Sequence, residues 1–84
     1  MRGDWVLCQI TSKRYADIKA VEIKDSDFTK GSLMVTSYAR PGKLFTANSD
    51  IMTKEAGALE KAKFYEILKS VASLFEPVDL KNPL

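Results

Sequence analysis

Apolar residues fall in short runs through the first half of the chain and at helical spacing through the second. Trp5 to Thr11 is one such run, set between Gly3-Asp4 and Ser12-Lys13-Arg14, and it predicts a buried strand. Ile18 to Ile23 places Val21 and Ile23 on one side and Ala20 and Glu22 on the other, which predicts a second strand near a sheet edge. Asp25-Ser26-Asp27 then signals a turn, with both aspartates read as turn formers. Gly31-Ser32 opens a third run, Leu33 to Ala39, which Arg40-Pro41-Gly42 breaks, because proline cannot donate to a ladder and glycine suits a turn. Lys43 to Thr46 resumes as a fourth strand. From Leu59 the period changes: Phe64, Ile67, Leu68, Val71, Leu74 and Phe75 share one helical face, with Glu60, Lys61, Lys63, Glu66 and Lys69 largely opposite. The pattern predicts an amphipathic helix ending before Pro77. Between these, Ser49 to Met52 fits a helical turn, and Lys54 to Leu59 fits either a connection or, by a slight margin, a short strand.

Strands followed by one helix, with connections too short for parallel crossovers, predict an α+β, mostly β fold. The expected domain is single, over 1–84, with a strand-rich sheet in 3–47, a helix in 59–76 and an extended tail in 77–84. The sheet is antiparallel and buries one face under the helix. A chain this short leaves strand edges unpaired, which invites a partner strand or a second copy.

Composition narrows the chemistry. Hydrophobic residues make up 45% of the 84 positions, enough for a core. Thirteen Lys and Arg against eleven Asp and Glu give a net charge of +2, which permits an anionic partner without demanding one. Cys8 is the only cysteine, so an internal disulfide is impossible, and a thiol inside a strand suits a reducing compartment. No apolar run approaches the about 18 residues of a membrane span. The expectation is a soluble cytoplasmic protein with no membrane partner. Histidine is absent, which removes the commonest general base and metal ligand and any paired-histidine ribonuclease mechanism. No other residues stand at metal-ligand spacing, so neither metal nor cofactor is expected.

Two segments carry a resemblance. Gly3 to Ser12, ending in Ile10-Thr11-Ser12, resembles the third strand of PemK/MazF toxins, which closes on an Ile-Thr-Ser or Ile-Thr-Ala corner. Ser37-Tyr38-Ala39-Arg40-Pro41-Gly42-Lys43-Leu44-Phe45-Thr46 resembles that family's Ser-x-x-Arg-Pro-x-Lys-Leu-x-Thr hairpin, and Gly57-Ala58-Leu59 with the following helix resembles its closing segment. The resemblance spans 3–76. It implies an SH3-like barrel or partial barrel that dimerises, cuts single-stranded RNA without metal as an mRNA interferase, and is neutralised by a cognate antitoxin. Two strands normally precede this pattern, the second with an Arg-Pro motif whose arginine is central to cleavage, and they have no counterpart in 1–84. The resemblance therefore implies impaired cleavage, and beside it stands a non-catalytic reading, a shortened toxin that binds antitoxin or RNA as a regulatory module.

Metal-free RNA cleavage proceeds by attack of the 2′-hydroxyl on phosphorus, and needs a base, an acid and groups that stabilise the crowded phosphate. By resemblance, Thr11 matches the corner threonine that bonds the scissile phosphate, with Ser12 beside it; a local turn is the competing role for the Thr11 hydroxyl. Lys13 and Arg14 either grip phosphates or form a solvated loop. Arg40 either contacts RNA or pairs with a carboxylate beside Pro41. Lys43 belongs to the same hairpin as a further groove cation. Among Trp5, Phe28, Tyr38 and Phe45, strand positions favour core roles, and Tyr38, next to the Arg-Pro turn, is the candidate for base stacking.

Overall fold

The computed structural model describes residues 3–51 and 54–75. Five strands and one helix occur among them: β1 (Asp4–Thr11), β2 (Val21–Ile23), β3 (Phe28–Gly31), β4 (Ser37–Asn48), β5 (Gly57–Leu59) and α1 (Lys61–Ser73). β4 lies between β1 and β2 in a three-stranded antiparallel sheet, and β3 pairs antiparallel with β5 in a second. The fold is α+β and mostly β, and the barrel is not closed, because the two sheets share no ladder.

The core forms where alternation along β2 and β4 meets one stripe of α1. Val21, Ile23 and Ala39 project from the sheet against Ile67 of the helix, with Cys8, Phe28, Leu59 and Val71 packed around them. Ile23 is 1% exposed and centres the cluster. The helix face expected from spacing is wider than the part covered, since Phe64, Leu68, Leu74 and Phe75 remain substantially exposed. Helix entry is fixed from outside: the Glu60 N–H donates to the Asp27 carbonyl at 2.7 Å, and Lys63 lies between Asp27 at 3.8 Å and Glu66 at 2.9 Å.

Several expected boundaries move. The second strand begins at Val21, because the Ala20 N–H turns back to the Asp17 carbonyl and leaves Ile18 97% exposed. The third run enters the sheet only at Ser37; Met34 sits at φ 69 with its N–H donated to the Ser32 hydroxyl, so Leu33 to Thr36 is a loop. Arg40-Pro41-Gly42 does not turn the chain. β4 runs from Ser37 to Asn48 as one strand, and the register jumps from Gln9↔Arg40 to Cys8↔Leu44, leaving Pro41, Gly42 and Lys43 as a bulge. A bulge tolerates proline because its missing N–H is not required there, and Pro41 is fully buried in it.

Phe28–Gly31 was not expected as a strand; its β-propensity is masked by Lys30 and Gly31, and its pairing with β5 supplies what local pattern lacks. Gly31 has φ 71, and a side chain there would collide with the Ala56 carbonyl, so glycine is required at that crossing. β5 is the short strand favoured in Lys54 to Leu59, and a 3-10 turn covers Ser49–Ile51. The helix occupies Lys61–Ser73 within the expected 59–76, and the tail 77–84 lies outside the described residues.

Candidate nucleic-acid interface

Side chains on a strand alternate between faces, so cross-strand partners share a face. Ala39 faces Ile10 on one side and Val21 on the other, which makes this the inner, apolar face. The neighbouring row must then point outward. It consists of Thr11, Tyr38 and Glu22, since Tyr38 is the Cα partner of both Thr11 and Glu22. The next outward pair is Gln9 and Arg40. Alternation thus collects on one surface the corner threonine and the tyrosine and arginine of a segment distant in sequence.

The loop from Ser12 to Ala20 closes over part of this face. Arg40 is captured on three sides: its Nε donates to Asp17 Oδ2 at 3.3 Å, its Nη1 donates to Gln9 Oε1 at 3.4 Å, and its guanidinium carbon sits 4.3 Å from the Tyr15 ring centroid. Arg40 and Asp17, with side-chain exposures of 19% and 18%, form a partly buried ion pair, and among the described residues it is the one that involves an arginine. Of the two roles open to Arg40, the geometry shows the carboxylate pair. The other Asp17 oxygen accepts the Lys19 N–H at 3.0 Å, so this carboxylate is committed to the loop and to Arg40. Lys19 in turn donates from Nζ to Ser73 Oγ at 2.9 Å, and its carbonyl accepts from Ser70 Oγ at 2.7 Å, which anchors the loop to α1.

Thr11 Oγ1 accepts the Lys13 N–H at 3.2 Å, a local turn at the end of β1. An accepting hydroxyl still has its own proton to donate, so the turn orients Thr11 without using its donor. Ser12, Lys13 and Arg14 are exposed beyond it, and Lys13 and Arg14 have no ion-pair partner among the described residues. Lys43 lies exposed in the bulge and does not join the row. Arg14 and Tyr38 meet with Asp17, Ile18, Ala20 and Glu22 around a depression of about 210 Å³. A second, apolar hollow of about 340 Å³ opens on the inner side between the two sheets, lined by Ile10, Phe28, Leu33 and Phe64 among others.

Of the outward residues, Gln9, Tyr15, Asp17 and Glu22 were not singled out from sequence. Alternation about Val21 and Ile23 already turned Glu22 away from the core; nothing local marks Asp17 or Tyr15, whose roles depend on a partner far along the chain. Trp5 is partly buried, with its Nε1 enclosed and without an acceptor among the described residues. Phe28 packs on the core while Phe45 is half exposed. Cys8 Sγ donates to the Arg40 carbonyl at 3.3 Å, tying β1 to the start of the bulge. Burial pushes this thiol above its ordinary range.

With Arg40 balanced by Asp17, the uncommitted cations of this surface are Lys13 and Arg14 at the corner. The chemistry available is the hydroxyls of Thr11 and Ser12, two cations, the Tyr38 phenol and the Glu22 carboxylate. Among the described residues no cluster of Asp, Glu or Cys is placed to hold a metal ion, and no helix is long and apolar enough to cross a membrane. No protein-family model matches the chain, and no curated protein sequence matches it.

Proposed function

We propose that this chain is a PemK/MazF-like toxin component of a toxin-antitoxin system, a metal-independent endoribonuclease acting on single-stranded RNA across the outer face of its three-stranded sheet. The observation that carries the reading is the β1–β4 register. It lays Gln9-Ile10-Thr11 against Tyr38-Ala39-Arg40, so the two segments on which the resemblance rests meet strand to strand. Arg14 and Lys13 hold a phosphate, the Thr11 O–H donates to one of its oxygens, Ser12 lies alongside, and Tyr38 offers a ring to a splayed base. Cleavage then follows attack of the neighbouring 2′-hydroxyl oxygen on phosphorus, which forms a 2′,3′-cyclic phosphate as the P–O5′ bond breaks; water takes the 2′-hydroxyl proton and returns one to the departing 5′-oxygen. Because Arg40 is neutralised by Asp17, phosphate stabilisation rests on fewer groups, and loss of one well-placed donor costs about 10²–10³ in rate. The activity is accordingly weak. The reading places the protein in the cytoplasm, as a homodimer neutralised by its cognate antitoxin.

The capture of Arg40 by Asp17, Gln9 and Tyr15 favours a second reading, a non-catalytic module that binds antitoxin or RNA. Incubating the purified protein with a long unstructured RNA in EDTA, then mapping ends by primer extension, separates the two. Discrete cuts that disappear in Thr11→Ala support the nuclease. Intact RNA that is nevertheless retained by the protein supports the module, and RNA neither cut nor retained contradicts the nuclease and leaves the module only its antitoxin-binding form.

A further inference from the structure

We propose that the depression beside the corner is a subsite for one unpaired nucleobase bearing an exocyclic amino group, read by the Glu22 carboxylate. The inference rests on the RNA-binding reading above and adds to it what the surface selects.

Glu22 is a carboxylate in an awkward place. A surface that holds phosphates gains nothing from a negative charge, yet Glu22 stands in the same cross-strand row as Thr11 and Tyr38 and lines the same depression as Arg14. The other acidic group there, Asp17, has one oxygen on Arg40 Nε and the other on the Lys19 N–H. Glu22 has only Lys24, at 3.6 Å and with both side chains well exposed, a pair that solvent and salt weaken. Its lone pairs are therefore available to a ligand, and a carboxylate accepts from N–H groups and repels phosphate oxygens.

Tyr38, Ile18 and Ala20 line the depression together with Glu22, and Ile18 is 97% exposed although apolar. A planar base can lie between Tyr38 and Ile18 with its amino edge toward Glu22, while Arg14 takes the attached phosphate. Single-stranded RNA exposes that edge, and pairing a carboxylate with a cytosine amino group is an established form of direct readout. Uracil lacks the exocyclic amino group and turns a carbonyl toward the carboxylate instead. The subsite therefore selects cytosine over uracil, bases of one size that differ in this group.

Fluorescence anisotropy in EDTA with labelled 2′-O-methyl oligocytidine and oligouridine reads binding without cleavage. Wild type binds the cytosine oligomer about 10-fold more tightly, and Glu22→Ala, an exposed substitution, removes the preference. Equal affinity for the two oligomers, or a preference that survives Glu22→Ala, overturns the subsite and leaves RNA binding standing. Failure to bind either oligomer removes the RNA-binding reading and the subsite with it. Capture of an arginine-rich peptide in place of either oligomer, abolished by Glu22→Ala, assigns the depression to protein and also overturns it.

Discussion

The two faces of the β1–β4–β2 sheet are built from the same strands yet answer to different physics. Its inner face, Val21, Ile23 and Ala39, is apolar and covered by Ile67 of α1, and it holds the fold together. Its outer face carries Gln9, Thr11, Glu22, Tyr38 and Arg40, and Arg40 is held there by Asp17 and Gln9. The comparison teaches that a strand can be read twice, with one parity fixing stability and the other left to chemistry.

The largest effect should come from the inner face. Ile23→Ala or Ile67→Ala removes a buried side chain from a small core and is expected to cost about 2–5 kcal/mol, measured by urea unfolding. Either substitution leaving the midpoint unchanged would break the comparison. Gly31→Ala comes next, with a cost of at least about 1 kcal/mol, because the residue has φ 71 and its new methyl would meet the Ala56 carbonyl.

Arg40→Ala sharpens the outer face by separating its structural member from its functional ones. It strands Asp17 beside an unpaired Gln9, and an expected loss of about 1–3 kcal/mol in unfolding free energy marks Arg40 as the clasp of the 12–20 loop. Arg14→Ala should do the reverse, leaving stability within about 0.5 kcal/mol while lowering RNA affinity and flattening its salt dependence. If Arg14→Ala unfolds the protein, or Arg40→Ala leaves its stability untouched, the division of labour is wrong.

The smallest effect concerns Cys8. Its thiol is raised in the folded state by burial. A group whose folded pKa lies above its unfolded value contributes stability that is fully present below the unfolded pKa, about 8.5 for a thiol, and is lost as pH rises through the folded value. Thermal midpoints should therefore fall on the alkaline side of that range, and Cys8→Ala should reduce the slope; an unchanged slope would remove the contribution.

Much of this was legible in the sequence, for reasons particular residues make plain. β1 and the helix announce themselves by pattern, one as an apolar run and the other by helical spacing, although β1 is not the buried strand its run predicts: none of its residues is buried, and Val6 is 71% exposed. Glu22 could be placed outward from Val21 and Ile23 alone. Arg40-Pro41-Gly42 misleads, because the signal that ends a strand locally also fits a bulge, and only the distant partners Cys8 and Gln9 decide between them. β3 needed β5 to exist, and Asp17 became a partner of Arg40 only when β1 and β4 paired. Long-range pairing determines both, and no local window contains it.

Amide chemical-shift mapping with a single-stranded RNA in EDTA should show perturbations concentrated at Thr11, Ser12, Lys13, Arg14, Glu22 and Tyr38, which places RNA on the outer face of the sheet. Shifts gathered instead around the apolar hollow, at Phe28, Leu33, Gly57 and Phe64, or no shifts at all, would contradict it.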